Sequence, residues 1–106
     1  MDAMKDSIQV LIQNHEIRLK GVLTFNTSAH ALALIKKHLD SVVHNPVNLN
    51  PMTLNLSEVT RSDSAGLPVL SGTMREAKKN NIVLKITNVP EKLLHLAQLS
   101  GLNAIF

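Results

Sequence analysis

An α/β fold, a mixed four- to five-stranded sheet with crossover helices mainly on one face, is predicted by two observations. Segments that alternate apolar and polar residues take turns with segments whose apolar residues recur at spacings of three and four, in the order β-β-α-β-α-β-α-(β). Pro, Gly and Asn stand at the junctions between them, where the chain must leave one regular conformation for another.

The elements follow in order. Ile8, Val10 and Ile12 alternate with Gln9, Leu11 and Gln13, and after Asn14-His15 come Ile17, Leu19 and then Val22 to Phe25 across Gly21. This predicts an N-terminal hairpin whose second strand bends or bulges at Gly21. Asn26, Thr27 and Ser28 offer N-cap oxygens for a helix to about Val43, with Ala31, Leu32, Leu34, Ile35, Leu39, Val42 and Val43 on its inner stripe. Asn45-Pro46 ends it, and a loop to Pro51 leads into a short strand, Met52, Leu54 and Leu56.

A second helix is predicted from about Ala65 to Lys79, with Leu67, Val69, Leu70, Thr73, Met74 and Ala77 turned inward. Pro68 falls in its first turn, where a missing N–H costs no bond. Asn80-Asn81 stops it. Ile82 to Thr87 alternates as a fourth strand, Pro90 opens a third helix at its first position, and Gly101 closes that helix. Leu102 to Phe106 is left as a last strand or a docked tail.

Residues 1–106 are expected to form a single domain, since a chain of 106 residues with 44% hydrophobic content holds one core and no second. The absence of cysteine excludes disulfide and thiolate chemistry. The N-terminus is polar, and no apolar run approaches the roughly 18 residues of a membrane span, so a cytoplasmic protein without direct membrane insertion is expected. Net charge is +3, but Lys and Arg are dispersed, and two Phe with no Trp or Tyr leave little for base stacking; no nucleic-acid role is expected.

The junction Thr60-Arg61-Ser62-Asp63-Ser64-Ala65-Gly66-Leu67 carries the candidate site. It sets a carboxylate, a hydroxyl and a glycine at a helix start, where Asp63 or Ser64 can accept from unpaired N–H groups and Gly66 permits a close neighbour. Asp63 reads as N-cap and turn former. Ser64 reads either as a second cap or as a hydroxyl presented to a partner. Arg61, Arg75, Lys78 and Lys79 read either as a basic strip beside the turn or as an ordinary solvated helix face.

Catalysis finds no support. Ser64 lacks the Gly-x-Ser-x-Gly elbow and an assignable base, no Gly-x-x-x-x-Gly-Lys phosphate loop is present, and the five histidines lack metal-ligand spacing. A non-enzyme without cofactors is expected.

Three stretches then resemble a STAS domain over nearly the whole chain: Gly21-Val22-Leu23-Thr24-Phe25, Leu54 through Leu67, and Leu96-Ala97-Gln98-Leu99-Ser100-Gly101-Leu102. That fold is shared by anti-sigma-factor antagonists, sulfate-transporter tails and the small MlaB subunit of bacterial phospholipid-transport ABC systems. Antagonists of the family usually carry Asp-Ser-Ser-Gly or Asp-Ser-Thr-Gly, the second hydroxyl taking phosphate from a kinase. Here Ala65 stands at that position, leaving Ser64 as the nearby hydroxyl for phosphorylation.

The Asp63-Ser64-Ala65-Gly66-Leu67 form, together with Gly21-Val22-Leu23-Thr24-Phe25, resembles the MlaB-like branch. That resemblance implies a non-catalytic accessory subunit, cytoplasmic and peripheral at the inner membrane. It would bind an ABC-transporter ATPase subunit, and through it the permease complex, by way of Ser62, Asp63, Ser64, Ala65, Gly66 and Arg75. The alternative it leaves open is a phospho-regulated anti-sigma-factor antagonist.

Overall fold

The computed structural model describes residues 7–13, 15–42 and 51–101. Strands β1 (Ile8–Gln13), β2 (Glu16–Leu23), β3 (Met52–Ser62) and β4 (Leu84–Thr87) lie side by side in that order, and helices α1 (Ser28–Val42), α2 (Gly66–Lys79) and α3 (Glu91–Leu99) follow β2, β3 and β4. β1 pairs antiparallel with β2, and β2, β3 and β4 run parallel. Because each parallel strand leads straight into a helix, all three helices begin at one end of the sheet.

The predicted α/β architecture is thus observed with four strands; the proposed fifth, Leu102 to Phe106, lies outside the described residues. Ile17, Leu19 and Leu23 of β2 and Met52, Leu54 and Leu56 of β3 point to one face and are buried. Ala31, Ile35 and Leu39 of α1, Val69, Leu70 and Ala77 of α2 and Leu93 and Ala97 of α3 complete the core. The intervening residues Glu16, Arg18, Lys20, Thr53 and Asn55 face away from the helices.

On that open face Arg18 donates to Glu16 (2.9 Å) and Glu58 (2.8 Å), and the Asn55 amide donates to Glu16 (2.9 Å). The Asn55 bond first, then Arg18, holds the Glu16 carboxyl below its ordinary range. The bonds to Glu58 and Glu16 raise the Arg18 guanidinium in turn.

β3 corrects the sequence reading. It runs on to Ser62 instead of ending at Leu56. Its register against β2 slips twice, between Arg18 and Lys20 and between Gly21 and Val22, and each slip gives β3 one extra residue. The inward positions therefore fall at 52, 54, 56, 59 and 62, and the period of two that marks a strand disappears after Leu56. Gly21 takes φ +114° at the second slip, the bend its position predicted.

Helix ends differ in smaller ways. Thr27 spends its hydroxyl on the preceding turn, accepting from Thr24 N–H (3.0 Å) and donating to the Val22 carbonyl (2.6 Å), in place of a bond into α1. Pro90 is the N-cap of α3, one residue before its predicted place. α2 ends as expected at Asn80-Asn81: Asn81 takes φ +58°, its N–H returns to Lys78, and Ile82 N–H returns to Ala77. Ile82 is thereby used as a helix stop, so β4 starts at Leu84.

One histidine links the core to pH. His38, half-buried on α1, has an Nε2 atom buried without a hydrogen-bond partner, and burial lowers its pKa from the usual value. The unfolded chain therefore takes up this proton first as pH falls. His38 contributes stability above pH ~6.5 that is lost as pH drops through that value toward the lowered one. Urea titrations at neutral and mildly acidic pH are expected to show a smaller acid loss for His38→Phe than for the parent, and equal losses would refute the assignment.

Candidate functional site

The junction between β3 and α2 is held by one carboxylate. Asp63 Oδ1 accepts from Ala65 N–H at 2.8 Å, and the Asp63 carbonyl accepts from Gly66 N–H at 2.9 Å. The N-cap position itself is Ala65, which has no side-chain cap, so Asp63 acts two residues upstream as an Asx turn and the expectation that it is the N-cap is corrected. Its other oxygen accepts from Phe25 N–H at 3.4 Å, and its own N–H reaches the Leu23 carbonyl at 3.3 Å. The two turns that follow the adjacent parallel strands are tied together through Asp63.

The residues singled out in the sequence divide by depth. Ser62 and Gly66 are buried; Asp63 and Ala65 are half-buried; Ser64 and Arg61 are exposed. A Cβ on Gly66 would stand 3.0 Å from Leu93 and 3.3 Å from Leu23, so the close neighbour that this glycine admits is the protein's own core. Ser62 and Gly66 support the turn from below, and Ser64 is the hydroxyl offered to solvent. Arg75 stands apart, lining a depression between α2 and β4 with Met74, Lys78, Ile82 and Leu84. The proposed basic strip is accordingly split, with only Arg61 at the turn.

Four residues join the site that sequence reasoning left out: Thr24, Phe25, Asn26 and Lys92. Thr24, Phe25, Asn26, Arg61, Ser62, Asp63 and Lys92 line a depression of about 270 Å³ at the end of the sheet where the helices begin. Phe25 is 80% exposed there, because β2 ends at Leu23 and a turn carries Phe25 out of the sheet. Lys92 arrives from the first turn of α3. Basic charge outweighs the Asp63 carboxylate around this depression, and the carboxyl ends of parallel strands are where open α/β sheets place their binding surfaces. Among the described residues it brings together no nucleophile, base and orienting group.

An edge hairpin followed by two parallel crossovers, with the helices on one face and the loops gathered at one end, defines a small one-sided α/β module. The chain belongs to the STAS domain family, whose model matches residues 7–106.

Among solved structures it is similar to the Bacillus cell fate determinant SpoIIAA in its phosphorylated form, with 18% identity and a TM-score of 0.55 over 94% of this chain and 86% of that one. The anti-sigma factor antagonist SpoIIAA in its unphosphorylated form gives 15% identity and a TM-score of 0.54 over 90% and 83%. Mglu in its native form gives 15% and 0.53 over 76% of this chain and 22% of that one. At these identities the likeness is one of fold. No curated protein sequence matches. Among the described residues no helix is long and apolar enough to cross a membrane.

Proposed function

We propose that this STAS protein is a non-catalytic, MlaB-like accessory subunit. It binds the ATPase of an intermembrane phospholipid-transport ABC complex, on the cytoplasmic side of the inner membrane, through the turn that follows β3. The observation that carries this reading is Ala65: where antagonists of the family present a phosphate-accepting hydroxyl, this chain presents a methyl group, on a residue whose backbone N–H donates to Asp63 Oδ1. Phe25 supplies an exposed apolar anchor beside the turn, and Arg61 and Lys92 supply a basic rim suited to an acidic partner.

A second reading, an anti-sigma-factor antagonist, is favoured by the exposed Ser64 hydroxyl and by the SpoIIAA-like fold. Phosphate there would add about −1.5 to −2 charges at a helix start.

The test is purification of the tagged full chain from its native host. The proposal expects an ABC ATPase to co-purify and intact-mass spectrometry to show unmodified protein. Phe25→Ala and Ser64→Arg should each weaken that complex at least about tenfold while leaving the thermal melt in place, since both side chains are exposed. Recovery of a histidine-kinase-like anti-sigma factor, with a major species carrying one phosphoryl group on Ser64, would establish the second reading in its place.

A further inference from the structure

Among the described residues β1 is an edge strand without the features that ordinarily keep edges from pairing. Its sequence Ile-Gln-Val-Leu-Ile-Gln has no charge and no proline, and its register with β2 is unbroken along all six residues. Natural proteins blunt such edges with lysines, prolines, bulges or a covering segment. Among the described residues no backbone hydrogen bond reaches the outer side of β1.

The phase of the ladder fixes which groups are available. The Ser7 carbonyl accepts from Val22 N–H at 2.9 Å, so Ser7 turns its backbone groups toward β2. By alternation Gln9, Leu11 and Gln13 do the same, and the N–H and C=O groups of Ile8, Val10 and Ile12 point outward. The side chains of these three residues lie on the helix-covered side. Ile8 and Val10 pack on the core, and Val10 and Ile12 line an apolar groove of about 310 Å³ with Leu34, Lys37, His38 and Ser41 of α1.

Hydrogen-bond phase and side-chain parity therefore select the same residues, and both are satisfied together by a two-fold axis through Val10. Around that axis Val10 meets the second copy's Val10 and Ile8 meets its Ile12, each as a hydrogen-bonded antiparallel pair. The outward groups of all three residues are paired, the two apolar grooves adjoin, and Gln9 stands opposite the second copy's Leu11 on the open face.

We infer that β1 is a self-association surface, and that its partner is a second copy of this chain joined antiparallel through Val10 into one continuous eight-stranded sheet, four strands from each copy. The opposed strand directions put the two β3–α2 turns at opposite ends of the dimer. Each turn stays open, so this association is independent of the partner proposed above.

Sedimentation equilibrium of the full chain, from micromolar to submillimolar concentration, tests this. The parent is expected to dimerise reversibly. Gln9→Glu with Leu11→Glu sets two pairs of like charges across the two-fold axis and should weaken the dimer at least about tenfold. Within the protomer the new carboxylates lie opposite Arg18, already shared by Glu16 and Glu58, and Lys20, so a thermal melt of the variant is run alongside to separate a lost dimer from a lost fold.

Gln9→Lys with Leu11→Glu makes the same contacts opposite in charge and, in protein whose thermal melt shows that Lys20 opposite the new lysine has not cost the fold, should restore the dimer to within about threefold of the parent. A parent that stays monomeric throughout overturns the inference. So does a dimer indifferent to the glutamate pair, or one that the Lys/Glu combination fails to restore.

Discussion

Gly21→Ala is expected to cost about 3 to 5 kcal/mol of stability and to lower the melting temperature by ~15 °C or more. Two effects combine at this position. The backbone holds φ +114°, a conformation that side chains with a Cβ rarely adopt. The added carbon would also stand 2.6 Å from the Ser7 carbonyl oxygen. That oxygen cannot withdraw freely, because it accepts the Val22 N–H that joins the start of β1 to β2.

Gly101→Ala is the control. It has positive φ, +74°, but nothing within 4 Å of the added carbon, so only the conformational part remains and about 1 kcal/mol is expected. Urea denaturation of the two variants separates strain from collision. Equal losses would show that the contact with Ser7 contributes nothing.

Leu23→Ala is expected to cost about 2 to 5 kcal/mol, because the residue is wholly buried and its removal leaves a cavity. The position matters more than the size. Leu23 ends β2, its carbonyl receives the Asp63 N–H, and its side chain lies next to Gly66 under the start of α2. The cavity therefore opens beneath the candidate binding turn, and partner affinity should fall even at temperatures where the variant is fully folded. Leu23→Met, which keeps the volume, should cost less than about 1.5 kcal/mol and retain binding. A Leu23→Ala protein that melts like the parent would show that the turn is not seated on this side chain.

The sequence reading succeeded where the cause of structure is local. The stop after α2, the bend at Gly21 and the buried core of the α1 stripe, Ala31, Ile35 and Leu39, each follow from a few adjacent residues and are present, whereas Leu34 of that stripe is exposed and Val42 and Val43 lie beyond what is described of side chains. It failed where a second strand decides. β3 beyond Leu56 loses its alternation because two bulges against β2 are needed to align Glu58 with Lys20 and Ser62 with Leu23, and nothing in Ser57 to Arg61 alone records that pairing.

The site was legible to the same extent. Asp63, Ser64 and Gly66 were marked by residue type at a helix start, but which of them faces solvent depends on Leu93 and Leu23, which are remote in sequence. Phe25 ended an apolar run and so read as part of a strand. Only the turn after Leu23, fastened to Asp63, turns it outward. Arg75 was grouped with the turn by chemistry, whereas distance along α2 separates them.

The shortness of β4 bears on how the molecule opens. Among the described residues its four pair only with Met52 to Asn55 of β3, and α3, which follows it, contributes Leu93 and Ala97 to the buried core. With so few attachments this strand and helix are expected to open as one low-stability unit, their amides exchanging with solvent ahead of those of β2 and the first half of β3. Leu93 is also the side chain that fills the space above Gly66. Each such opening would take Leu93 away from Gly66 at the start of α2, so the candidate turn is expected to be rigid only while α3 is docked, and whatever clamps α3 in place would also preset the turn.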